Sequence, residues 1–191
     1  MKSIKRYGKL IIIGASILVV LLIVIFSLKG CGVSHKSPEG VVKSLIKSYA
    51  DGNEKRIKDC YGAQKDTEQA LQQEIDATIQ YFKAHNTKKV EIEECDVLSE
   101  SDKYTYVYVN YGLELENEQI YPCISTYMTN KEDGKYYVLP PSKVTDDMRK
   151  QAAGDYAKFM TTNTYKNYVK DYDTFIKKNP GYEDKIAGKL S

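Results

Sequence analysis

By the spacing of its apolar positions the chain falls into four stretches. Leu10 to Leu28, "LIIIGASILVVLLIVIFSL", runs 19 residues without a charge. At a rise of ~1.5 Å per residue a helix of that length spans ~28 Å, close to the ~30 Å hydrocarbon core of a bilayer. From Pro38 to Asn86 apolar residues recur every three or four positions, the period of a half-buried helix. From Val90 to Leu139 they recur every second position, the period of a strand. From Thr145 to Asn179 the helical period returns.

Stop and start signals cut the first helical stretch into three. Ser37 caps a helix with Pro38 at its first position and Glu39 in its first turn. Val41, Val42, Leu45, Ile46 and Tyr49 share one of its faces, and Asp51-Gly52 ends it. Asn53 caps a short second helix carrying Ile57, Cys60 and Tyr61, which stops at Gly62. Asp66, with Gln69 three residues on, opens a third helix over Thr67 to His85 in the manner of a capping box. Leu71, Ile75, Thr78, Ile79 and Phe82 form its apolar stripe, and Asn86 terminates it.

In the strand region Val90 and Ile92 alternate, but the next apolar positions are Cys95 and Val97. That shift of parity predicts a β-bulge near Glu93-Glu94. Lys103 to Glu116 is the clearest strand: Thr105, Val107, Val109, Tyr111, Leu113 and Leu115 take one face. Tyr104, Tyr106, Tyr108, Asn110, Glu114 and Glu116 take the other. Asn117-Glu118 turns into a third strand over Gln119 to Thr129, where Pro122 implies an edge or a bulge. Glu132-Asp133-Gly134 is a tight hairpin signal leading to a last strand, Lys135 to Leu139, which Pro140-Pro141 ends. Thr145-Asp146-Asp147 starts a helix bearing Met148, Ala152, Tyr156 and Phe159. A second, with Tyr165, Tyr168, Val169, Tyr172, Phe175 and Ile176, stops at Asn179-Pro180-Gly181.

The fold class predicted is therefore α+β. An N-terminal transmembrane helix precedes a domain of three helices and about four antiparallel strands, with a C-terminal helix pair. The boundaries are a basic tail at 1–9, the span at 10–28, a linker at 29–37, the domain at 38–142, the helix pair at 143–180 and a weakly ordered tail at 181–191.

Charge fixes the orientation. Lys2, Lys5, Arg6 and Lys9 precede the apolar run with no acid among them, so that end stays in the cytoplasm and the bulk of the chain lies outside. The net charge of +2 over 191 residues misleads as an average. Removing those four from 28 Lys and Arg leaves 24 basic residues against 26 acidic ones. A slightly acidic remainder excludes nucleic acid, which rewards a dense basic face. Two ways of holding the membrane stay open. One is a retained single-pass helix through residues 10–28. The other is lipidation of Cys31, because "LKGC" (Leu28 to Cys31) is similar to a bacterial lipobox in which Lys29 is out of place.

Three helices followed by a bulged antiparallel meander, over Pro38 to Leu139, resemble the nuclear transport factor 2-like superfamily. The opening "SPEGVVKSLIKSYADGNEKRIKDCYG" is similar to its small, membrane-tethered bacterial members. The resemblance implies a cone in which a curved sheet wraps the third helix. The function expected is a binding or assembly module with no catalysis and no cofactor. The alternative is a subunit of a cell-envelope transport machine of the type IV secretion or conjugation kind, which shares the layout of tail, span and outer domain. Some cone-fold relatives are isomerases that combine a buried carboxylate with Tyr donors. Tyr81 and Asp96 are examples of both groups here, but no spacing joins them into a site.

The remaining chemistry is sparse. His35 and His85 are the only histidines. Each reads as solvated, His85 also suiting the C-terminal end of a helix dipole. Cys31, Cys60, Cys95 and Cys123 include no C-x-x-C pair, so no metal site is expected. Cys95 and Cys123 both fall on strands, leaving open either a disulfide or buried free thiols. The chain holds 17 Tyr and no Trp. Tyr104, Tyr106 and Tyr108 line one strand face. They read either as an interaction surface for a protein, a small ligand or a second copy of the chain, or as a platform packed under the C-terminal helices.

Overall fold

A computed structural model describes residues 32–63 and 68–191. The basic tail, the expected span at 10–28 and Cys31 lie outside the described residues, as do Asp66 and Thr67. Among the described residues no helix is long and apolar enough to cross a membrane. Val33–Ser191 form one compact unit.

Three helices come first: α1 over Pro38–Ala50, α2 over Glu54–Cys60 and α3 over Gln69–Ala84. The Ser37 hydroxyl accepts from the Gly40 amide and the Asn53 side chain accepts from the Arg56 amide. Each cap satisfies an amide that the first helical turn leaves without a partner. The start of α3 differs from the expected capping box. Glu68 is its N-cap residue and makes no side-chain cap bond.

Four strands follow: β1 over Lys89–Glu100, β2 over Thr105–Glu114, β3 over Ile120–Glu132 and β4 over Lys135–Val138. They form one antiparallel meander in the order β1-β2-β3-β4. Glu93 is left over between Ile92, paired with Tyr111, and Glu94, paired with Asn110. This is the bulge that the parity shift predicts. A second register shift, between Val97 and Ser99, carries no such signal because Leu98 is itself apolar. Asp133 and Gly134 both have positive φ, 49° and 78°, as a tight two-residue hairpin requires. Pro122 pairs with Gly112 of β2. β4 reaches only Thr129 to Glu132, so the other side of β3 carries no strand at Pro122, and the missing amide loses no ladder bond.

Both sheet faces are covered. The inner face carries Val107, Val109, Tyr111 and Leu113 of β2 against Val41, Val42, Leu45 and Ile46 of α1, Ile57 of α2, and Leu71, Ile75 and Phe82 of α3. The outer face carries Tyr104 and Tyr106. They pack against Met148 and Ala152 of a fourth helix, α4, over Asp146–Phe159. A single 3-10 turn, Pro141–Lys143, leads into it. The fifth helix, α5, over Asn163–Lys178, packs along β3. Phe175 and Tyr172 of α5 join the inner cluster.

The chain end departs from the weakly ordered tail expected at 181–191. Tyr182–Leu190 forms a helix, α6, packed against α3. The C-terminal helices are therefore three, not two. Tyr182, Ile186 and Leu190 recur every fourth position, but over nine residues only, a length at which an isolated helix is marginal in water. Tyr182 and Ile186 suffice once α5 and α3 supply a surface: Ile186 is 4% exposed, and the Tyr182 ring meets Phe175 edge-on at 4.9 Å.

Candidate functional site

On the inner face a cleft of about 430 Å³ opens between α3 and the part of β3 that lacks a strand neighbour. Thr78, Tyr81 and Phe82 reach it from α3, because residues three and four apart share a helix face. Tyr111 comes from β2, and Tyr121, Cys123, Ser125 and Tyr127 come from alternate positions of β3. Tyr168 of α5 closes the outer rim. The early end of β4 leaves this wall of β3 accessible.

Some polar groups of the cleft, and of the core behind it, pair with one another. Tyr111 Oη and Ser125 Oγ share a hydrogen bond of 3.2 Å. Tyr49 and Tyr61 share another of 3.2 Å, and Tyr61 donates to Glu74 Oε1 at 3.3 Å. Burial pushes the Cys123 thiol up to about 12 and Tyr49 up to about 12, and raises Tyr61, Tyr81 and Tyr111. Burial also raises the carboxyl of Glu74, opposed by the hydrogen bond from Tyr61. At neutral pH the cleft is therefore lined by neutral hydroxyls and a thiol, not by a thiolate or phenolate. Such a lining holds no activated nucleophile.

The isomerase-like pair separates. Tyr81 lines the inner cleft, whereas Asp96 pairs in register with Tyr108 and lies by a different cavity, on the outer face beside Phe159. The sheet stands between them.

Nor do Tyr104, Tyr106 and Tyr108 form an open surface: they are 4%, 7% and 6% exposed. Tyr106 donates to Thr126 Oγ1 at 3.0 Å, and the Tyr108 ring lies 4.5 Å from Phe159 of α4. The row is the platform on which α4 docks.

His85 is a further correction. It is 3% exposed, with its ring 4.5 Å from both Tyr81 and Tyr121. Burial lowers its pKa to about 4, so it is neutral at pH 7. It reads as solvated in sequence because the residues that bury it arrive from β3 and α6. His35 too is engaged: its Nδ1 lies 2.8 Å from the Tyr136 carbonyl oxygen.

The thiols of Cys60, Cys95 and Cys123 are free. Cys95 on β1 and Cys123 on β3 have the whole of β2 between them, which removes the disulfide alternative. Among the described residues no three His, Cys, Asp or Glu side chains are grouped to hold a metal ion.

A second cleft, of about 390 Å³, lies on the other side of Pro122 and Tyr168 and is lined by Glu93, Asn110, Asp171 and Lys178. The bulge directs Glu93 there, and Asn110 Nδ2 donates to Glu93 Oε2 at 3.0 Å. The parity shift marked the bulge, but not that α5 would roof it. Comparison with protein-family models, with curated proteins and with solved structures gives no match.

Proposed function

We propose that the chain is a membrane-anchored, non-catalytic binding or assembly module whose folded part lies outside the cytoplasm. We propose further that it is a distant relative of the nuclear transport factor 2-like domains, with the sheet as the wall of a cone and α3 as the enclosed helix. The observation that carries the functional reading is the inner cleft. Its Tyr, Ser and Thr hydroxyls are neutral, Tyr111 and Ser125 share a hydrogen bond, and no base is paired with a nucleophile among the lining residues. Hydroxyl-bearing aromatic rings give area and adaptable hydrogen bonding with little side-chain entropy to lose. The anchor reading is supported by 19 uncharged residues behind four basic ones.

Two measurements test this. The intact mass of the membrane-extracted chain reads the anchor: a chain that keeps Met1 supports the retained helix, and one starting at Cys31 with added acyl mass replaces it with a lipid. For the cleft, the purified full-length chain is denatured and the released small molecules are identified by mass spectrometry. A stoichiometric molecule that disappears when Ser125→Trp fills the cleft supports ligand binding. Covalent turnover of that molecule by the wild-type chain would overturn the non-catalytic reading.

A further inference from the structure

The last helix sits on the inner cleft's edge through a seam of hydrogen bonds, the Tyr182 ring and one aliphatic side chain. Tyr121 donates to Glu183 Oε1 at 2.8 Å and Tyr172 donates to the same oxygen at 2.9 Å. The Tyr182 hydroxyl lies 2.9 Å from His85 Nδ1, and Lys189 donates to the carbonyl oxygen of Ala84 at the end of α3. Ile186 is the one fully covered aliphatic side chain that α6 contributes. A nine-residue helix held this way is among the parts of a fold that open locally before the core does. Its release would free Tyr121, which is also a wall of the inner cleft.

We propose that α6 is an acid-released latch: His85, enclosed by α3, β3 and α6, holds the latch while neutral and expels it when protonated.

The geometry gives His85 no good place for a proton. Its Nε2 is buried with no hydrogen-bond partner. Tyr81 of α3, Tyr121 of β3 and Tyr182 of α6 enclose the ring. Of the charged groups, Glu183 favours the protonated ring and Lys189 opposes it, both from α6. Lys185 of α6 and Glu116 of the β2–β3 turn line the small cavity beside it. Desolvation outweighs the Glu183 attraction and takes the ring from an ordinary 6.5 to about 4. Once α6 leaves, one wall is gone and the ring is hydrated again. A base whose pKa is depressed in the docked state favours docking fully above pH 6.5. It withdraws that support as the pH falls toward 4. At pH 5 the docking equilibrium is weakened about 30-fold relative to neutral pH if release restores the ordinary value.

Amide hydrogen exchange on the full-length chain in detergent reads this segment by segment, with rates corrected for the intrinsic pH dependence. The expected result is that protection of Tyr182–Leu190 falls about 30-fold between pH 7.5 and pH 5 while Pro38–Ala50 keeps its protection. Unchanged protection of the last helix would overturn the proposal. So would an equal fall in both helices, which is global acid unfolding. His85→Gln cannot titrate, so its last helix should hold the same protection at both pH values; a retained fall removes His85 from the mechanism. Should that variant not fold, Glu183→Gln serves. It removes the charge that stabilises the protonated ring in the docked state, so release should occur at the same or a higher pH, and release that moves to lower pH counts against the latch.

Discussion

Glu74 shows how a single half-buried group ties stability to pH. Its carboxyl sits on the inner side of α3 and accepts from Tyr61, yet burial outweighs that bond and its pKa is raised from 4.5. The folded state thus holds the proton more tightly than the unfolded chain. Stability contributed by the protonated form is present at low pH and is lost as the pH rises through the raised value. Glu74→Gln keeps a carbonyl acceptor for Tyr61 and removes the charge. The variant should melt at or above the wild-type temperature at pH 7, and the gap should close toward pH 4. Thermal melts at the two pH values check this; a variant that melts well below wild type at pH 7 would mean that the carboxylate is needed as such. Residue identity alone did not reveal the group. One Glu in a helix with polar neighbours reads as solvated, and only the arrival of Tyr61 from the end of α2 half-buries it and gives it a partner.

At the scale of elements, α5 shows best how packing decides what a pattern means. Its stripe of Tyr165, Tyr168, Val169, Tyr172, Phe175 and Ile176 reads as one apolar face, but the positions are not equivalent. Phe175 is 5% exposed and meets Tyr121 edge-on at 5.2 Å, while Val169 remains 37% exposed. Removing a large buried aromatic typically costs about 3–5 kcal/mol, whereas an exposed aliphatic changes little. Phe175→Ala should therefore lower the denaturant midpoint strongly and Val169→Ala hardly at all. Equal effects would mean that the helix is held by its general apolar character and not by this contact. The edge of β3 is the reason α5 has a place to dock. β4 ends early, Pro122 needs no partner strand, and the helix covers what would be an open edge.

For the molecule as a whole, cohesion among the described residues comes from two apolar layers, one on each side of a single sheet, and not from covalent links. The three thiols at Cys60, Cys95 and Cys123 are free, and Cys60 and Cys123 are buried. A disulfide stabilises mainly by restricting the unfolded chain, and none contributes within Val33–Ser191. Reducing agent should leave the melting temperature unchanged, and the two buried thiols should react with a thiol reagent only after denaturation. A melting temperature that drops under reduction would refute that description. The same two-layer construction places the inner cleft where α3 and the free edge of β3 diverge, and it buries the outer Tyr row.

The sequence by itself determined whatever depends on neighbours within a few positions. The change of period from helix to strand, the caps at Ser37, Asn53 and Thr145, the first bulge and the Asp133-Gly134 hairpin are all of this kind. Each is set by backbone dihedrals and hydrogen bonds that a short stretch satisfies alone. The tertiary structure decided whatever depends on which distant element arrives. Tyr104, Tyr106 and Tyr108 became a docking platform because α4 returns to them. Cys95 and Cys123 were kept apart because β2 is threaded between their strands. His85 became a buried neutral ring because Tyr182, 97 positions along the chain, closes over it. No local rule reaches across that separation, because the burial of a side chain depends on every surface packed against it.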